Sequence, residues 1–212
     1  MAIDSFDNLK TAVANWLDRN DLADRIPEFI TLAENRINRH VRIRAMERRS
    51  TAPTKSGEDY MGLPSGYIQM RHISVSQNGR DLDLEYMSPE RFDVEMTTKW
   101  GGGSGRPRIY TLVGDEIRLG PTPDAVYTIE MVYYKKFDHL STTQTSNWLI
   151  TDAPDLLLYG ALLEAEPFVK DQEAAKMWGM YFSQAVEAIT TADAKDRWSG
   201  GALHVTSDQR GI

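Results

Sequence analysis

The sequence predicts an α+β protein: a helical bundle formed by N-terminal helices and a C-terminal helical hairpin, with a small antiparallel β-rich insertion. Three observations predict it. Apolar residues recur at spacings of three and four over residues 5–47 and again over 147–192, the period of helices with one buried face. Residues 50–140 change texture, to short β-rich runs separated by Gly, Pro and Asp. The chain has 212 residues, 41% of them hydrophobic, with nine Tyr and five Trp, which suffices for one sizeable core. The division that follows is 1–49 for the N-terminal helices, 50–140 for the insertion, 141–192 for the hairpin and 193–212 for an extended tail.

Taken in order, Phe6, Leu9, Val13, Trp16 and Leu17 form the stripe of a short amphipathic helix capped by Asp4 or Ser5, with Asn20 or Asp21 closing the turn. The pattern over 21–47 is the longest, carrying Leu22, Ile26, Phe29, Ile30, Ala33, Ile37, Val41 and Met46, and Pro27 sits near its start where a missing amide hydrogen costs least. In the insertion, 67–77 alternates as a strand, and Asn78-Gly79 before 80–85 signals a hairpin because both residues tolerate positive φ. Strands are also expected at 109–113, 116–119 and 127–134, with Gly114-Asp115 as a turn, and Ser88-Pro89 opens a short helix.

The hairpin begins with Thr151 or Asp152 as cap and Pro154 in the first turn, runs through the apolar residues 156–163 and stops at Pro167. Its second helix covers 171–192, with Ala174, Ala175, Trp178, Tyr181, Phe182, Ala185, Val186 and Ile189 on one face. Tyr133, Tyr134, Trp148, Tyr159, Trp178 and Tyr181 read first as core or hairpin packing and second as subunit interface.

Composition excludes several classes. The net charge of -7 and pI near 5.1 make a poor generic DNA binder, because phosphate affinity comes from clustered Lys and Arg. No apolar run approaches the length of about 20 residues that spans a bilayer, and the first residues lack a basic-then-apolar leader, so no membrane association is expected. The absence of Cys excludes disulfides, thiolate zinc sites and cysteine nucleophiles. His40, His72, His139 and His204 are too scattered for a local metal motif, and no serine lies in GxSxG. No catalytic, cofactor-binding or metal-ligating residue is assigned, and no enzyme activity is expected.

Four segments then stand in one order: LPSGYIQMRHI, RPRIYTLVGDEIRLGPTPD, YTIEMVYYKKFDHLS and TSNWLITDAPDLLLYGALLEAEPFVKD. Together, over roughly residues 5–192, they resemble the head-to-tail adaptor (connector) proteins of tailed bacteriophages, particularly the podovirus-type portal adaptors. The resemblance implies a non-enzymatic virion protein assembled in the host cytoplasm. It would form a ring of twelve copies under the portal protein, extend the DNA channel and give the tail nozzle or tail tube its docking surface. Genomic DNA would pass without sequence recognition, which an acidic lumen favours by repelling the duplex. The alternatives are a distal tail protein, in the tail tube or at fibre attachment, and a packaging-associated hydrolase.

Three groups of residues are candidates within that reading. Arg36, Arg39, Arg42, Arg44, Arg48 and Arg49 gather charge at the end of the second helix; this is a solvated end that complements the helix dipole, a surface that docks on acidic groups of the portal or a neighbouring subunit, or, third given the net charge, a contact with DNA phosphate. Trp198, Leu203 and Val205 lie in a tail that is either mobile or ordered by wrapping a neighbour. Gly101, Gly102, Gly103, Ser104 and Gly105 lack the lysine placement of a P-loop and read as a flexible loop at the channel or a neighbour.

Overall fold

The computed structural model describes residues 2–19, 21–77 and 79–198. The chain divides into two compact units: one joins Met1–Ala45 to Asp138–Ile212, and the other is Met46–Phe137.

The first unit is helical. Helix α1 (Phe6–Leu17) starts at Ser5, whose hydroxyl accepts from the Asn8 amide at 3.3 Å, and ends at Asp18 in the left-handed region. Helix α2 (Ile26–His40) has Pro27 in its first turn. It stops seven residues short of the end drawn from the apolar stripe. The reason lies in Val41 and Ile43: both are buried and they stand two apart, so the period has already changed from that of a helix to that of an extended chain. Arg42 caps the end by donating to the Asn38 and Val41 carbonyls at 2.8 and 2.6 Å.

Two helices precede the hairpin turn, where one was expected. Asn147, and neither Thr151 nor Asp152, caps the short α4 (Trp148–Asp152), accepting from the Ile150 amide at 3.1 Å. Helix α5 (Pro154–Val169) begins at its N1 proline without a side-chain cap. Pro167 does not stop it; the lost amide falls in the last turn, and the chain reverses only at Lys170, in the left-handed region. Asp171 then caps α6 (Gln172–Trp198), accepting from the Glu173 and Ala174 amides. Helix α6 runs six residues past its expected end, so the tail cannot be extended from residue 193, and it rather than α2 is the longest helix. Helix α5 is central, burying Leu156, Leu157, Leu158, Ala161, Leu162 and Ala165 against α1, α2 and α6. Gly160 permits the close approach, since a Cβ there would lie 3.0 Å from Ala33 Cβ.

The second unit holds two four-stranded sheets, where a single small antiparallel sheet was the expectation. The first has the order β1 (Glu47–Pro53), β8 (Thr128–Lys135), β3 (Tyr67–Gln77), β4 (Arg80–Asp83), all antiparallel. The second has the order β2 (Tyr60–Gly62), β7 (Glu116–Gly120), β6 (Ile109–Val113), β5 (Glu85–Tyr86), with β5 and β6 parallel. The run 80–85 is therefore split: Leu84 is buried between strands of different sheets. Strand β1 escapes sequence detection because ERRSTAP carries no apolar alternation; its charges and Pro53 suit an edge strand. Ile73, Val75, Ile117, Leu119, Ile129 and Met131 build the core from both sheets. Helix α3 (Pro89–Lys99) adds Phe92 and Met96, which pack with Ile109.

Candidate assembly surfaces

The arginines of the second-helix end do not form one free patch. Arg36, Arg39, Arg42 and Arg44 belong to the helical unit, whereas Arg48 and Arg49 lie on β1 of the other. Arg36 pairs with Glu164 on α5. Arg44 reaches α6, with Asp193 at 3.1 Å and Asp196 at 2.9 Å. Arg49 makes a bidentate pair with Glu130 of β8, and Arg48 donates to the Glu47 carbonyl at 2.7 Å. Arg39 is exposed. Five of the six, Arg42 included, thus spend donors inside their own unit, where the sequence shows only a run of like charge.

The second group lies largely beyond view. Trp198 closes α6, but its side chain, and all of Leu203 and Val205, lie outside the described residues. Helix α6 is anchored before that point by Asp193, which accepts from the Arg44 amide and from Arg197 Nε at 2.7 Å. Burial works against the Asp193 charge, yet these donors from Arg197 and Arg44 hold its carboxyl below the usual range.

The glycine run is pinned by backbone hydrogen bonds where a flexible loop was expected. Gly102 donates to the Met96 carbonyl, Gly103 to that of Trp100 and Gly105 to that of Thr122, and Ser104 bridges Thr122 in parallel. Gly101 and Gly102 adopt φ of 56° and 74°, which explains two of the glycines as a turn ending α3.

Two further features bear on assembly. One is an aromatic cluster in the helical unit that joins Tyr159, Trp178 and Tyr181, read from the sequence as hairpin packing, to Trp16 of α1: Trp16 lies 5.5 Å from Trp178 and 6.3 Å from Tyr159 between ring centres, and Tyr181 completes it. Trp178 is buried, but Trp16 on α1 and Met180 on α6 are each 52% exposed, and Met177, one helical turn before Met180, is exposed too.

The other is a pair of buried carboxylates. Glu34 on α2 is fully enclosed and accepts from the Leu140 amide at 2.9 Å and from Asn147 at 3.3 Å, with His139 Nδ1 at 2.9 Å. Glu166 on α5 is 4% exposed; its Oε1 accepts the Trp178 indole proton at 3.0 Å, while Oε2 has no partner. Burial pushes both carboxyls up, Glu34 against its three donors and Glu166 with help from Asp171. Both were legible in principle, since positions 30, 33, 34 and 37 of α2, and 158, 162, 165 and 166 of α5, share one face, and a charge there breaks the apolar stripe.

Glu166 lines a groove of about 580 Å³ at the α5–α6 turn, together with Arg36, Glu164, Lys170, Asp171 and Ala175. Among the described residues no group of three or more His, Cys, Asp or Glu could hold a metal ion, and no helix is long and apolar enough to cross a membrane. The family model of the SU10 adaptor protein matches residues 4–206. No curated protein matches the chain.

Proposed function

The chain belongs to the SU10 adaptor protein family, and from that premise we propose that this bacteriophage structural protein assembles as a ring under the portal, extends the DNA channel and presents the docking surface for the tail. The observation that carries the reading is the extent of the match, which spans both units and not one of them. The exposed apolar side chains Trp16, Met177 and Met180 support a role in assembly, because Trp and Met are enriched at protein interfaces. Portal contact falls to Arg39, to the end of α6 and to the segment after it, with Trp198, Leu203 and Val205 as anchors, and the net charge of -7 favours passage of DNA over adhesion. Repeated modest contacts around a closed ring, twelve copies in this reading, sum to a stable layer.

The test is the mass and electron-microscopic symmetry of the product formed when the purified protein meets its portal ring. A stoichiometric twelvefold layer, lost when residues 199–212 are deleted, is the expected result. A protein that ignores the portal but rings alone or joins distal tail proteins sinks the adaptor reading and puts a distal tail role in its place.

A further inference from the structure

We propose that the groove at the α5–α6 turn seats an arginine side chain from a second copy of this chain, with the unpartnered oxygen of Glu166 as its acceptor. The groove has the volume for a long side chain, about 580 Å³. Its wall holds a carboxylate 96% buried, one oxygen of which already takes the Trp178 indole proton while the other takes nothing. A buried acceptor left without a donor is costly, and a carboxylate more so than a neutral group. The local cations do not relieve it. Arg36 is engaged with Glu164 at the groove, Lys170 is exposed, and Asp171 adds a like charge. A planar guanidinium with several donors is the group that can press past such a rim and satisfy a shielded oxygen.

Charge says where that guanidinium comes from. The helical unit has twelve Lys and Arg against eighteen Asp and Glu, a balance of -6, whereas the β unit has twelve against thirteen, or -1. Among the described residues Arg80, Arg91 and Arg108 of the β unit are exposed, and their side chains have no carboxylate partner. A ring built by one chain repeated head to tail must find both halves of each contact on that chain, so these arginines of one copy suit the groove of the next. The inference rests on the ring reading given above.

Trp178 supplies a reporter, because its indole proton goes to the same carboxylate. N-acetyl-arginine methylamide, titrated into the isotope-labelled full chain, is expected to shift the Trp178 Nε1–H resonance saturably, while N-acetyl-glutamine methylamide at equal ionic strength does not. Glu166→Gln is expected to weaken the arginine response at least about tenfold. Ala175→Leu, which fills the groove without touching the carboxylate, should abolish it. A Trp178 resonance that stays still, or responds equally in both variants, overturns the groove. On the portal, Glu166→Gln should leave the layer incomplete; a complete layer overturns the second copy as occupant. Failure of the unaltered protein to join the portal would instead count against the adaptor reading alone, because the indole titration needs no portal.

Discussion

The two units handle buried polarity differently. The helical unit encloses two carboxylates, Glu34 and Glu166, whereas the buried polar side chains described in the β unit are the hydroxyls of Thr54, Ser74 and Thr111. The difference follows from connectivity. The β unit is continuous in sequence and closes by ladder hydrogen bonds between strands, two hairpins among them and the longest ladders joining β8 to β1 and β3. The helical unit is made from both ends of the chain, so loop closure across the whole insertion opposes it and propensity alone cannot assemble it. Glu34 meets that need with side-chain specificity: from α2 it gathers the returning chain at His139, Leu140 and Asn147, where the Phe6 amide also donates to the Thr145 carbonyl. Asp193 and Arg44 repeat the arrangement between the end of the N-terminal half and α6.

If that contrast is right, the largest loss comes from Glu34→Ala, which strands the buried Leu140 amide and removes the polar tie between the halves. The expected cost is about 3 kcal/mol of unfolding free energy, read in a urea titration followed by far-ultraviolet circular dichroism. A cost below about 1 kcal/mol would show that apolar packing on α5 alone joins the two ends.

The matching break in the β unit is steric. Gly120 is surrounded so closely that a Cβ would lie 2.7 Å from Met96 Sδ and 2.9 Å from Ile109 and Phe92. Gly120→Ala is therefore expected to cost about 2 kcal/mol by overpacking. The near-ultraviolet signal of the β-unit aromatics should change while the helical signal at neutral pH is kept.

The smallest effect sharpens the role of ion pairs. Asp193→Asn should cost about 1 kcal/mol at neutral pH. The folded carboxyl lies below its unfolded value, so its stabilisation is present above the unfolded pKa, near about 3.9, and is lost as pH falls through the lower folded value. The stabilities of the two proteins should converge in strong acid. A difference that does not change with pH would assign the loss to packing.

Much of the architecture was legible without coordinates. Residues 67–77 and 109–113 are strands as their alternation predicts, and Ser5 caps the first helix. Less was legible of the surfaces. The arginine run looked like one docking patch because sequence records like charges side by side and says nothing of acids 81 to 152 positions away, the separations of Arg49 from Glu130 and Arg44 from Asp196. The end of α2 was misplaced because Val41 and Met46 fit a helical stripe by spacing, although Val41 and Ile43 are buried in an extended segment.

What the sequence by itself determined about this protein is the kind of element at each place, since local period, caps and turn residues act within a few positions: helices at both ends, strands between, and the ordered segments that resemble phage adaptors. What only the tertiary structure decided is partnership. Which sheet takes β1 or β5, that Glu34 closes the helical unit and that one oxygen of Glu166 is buried without a partner all depend on residues brought together from far along the chain. Burial turns an ordinary glutamate into a costly group only once its neighbours are in place, and no local pattern records who those neighbours are.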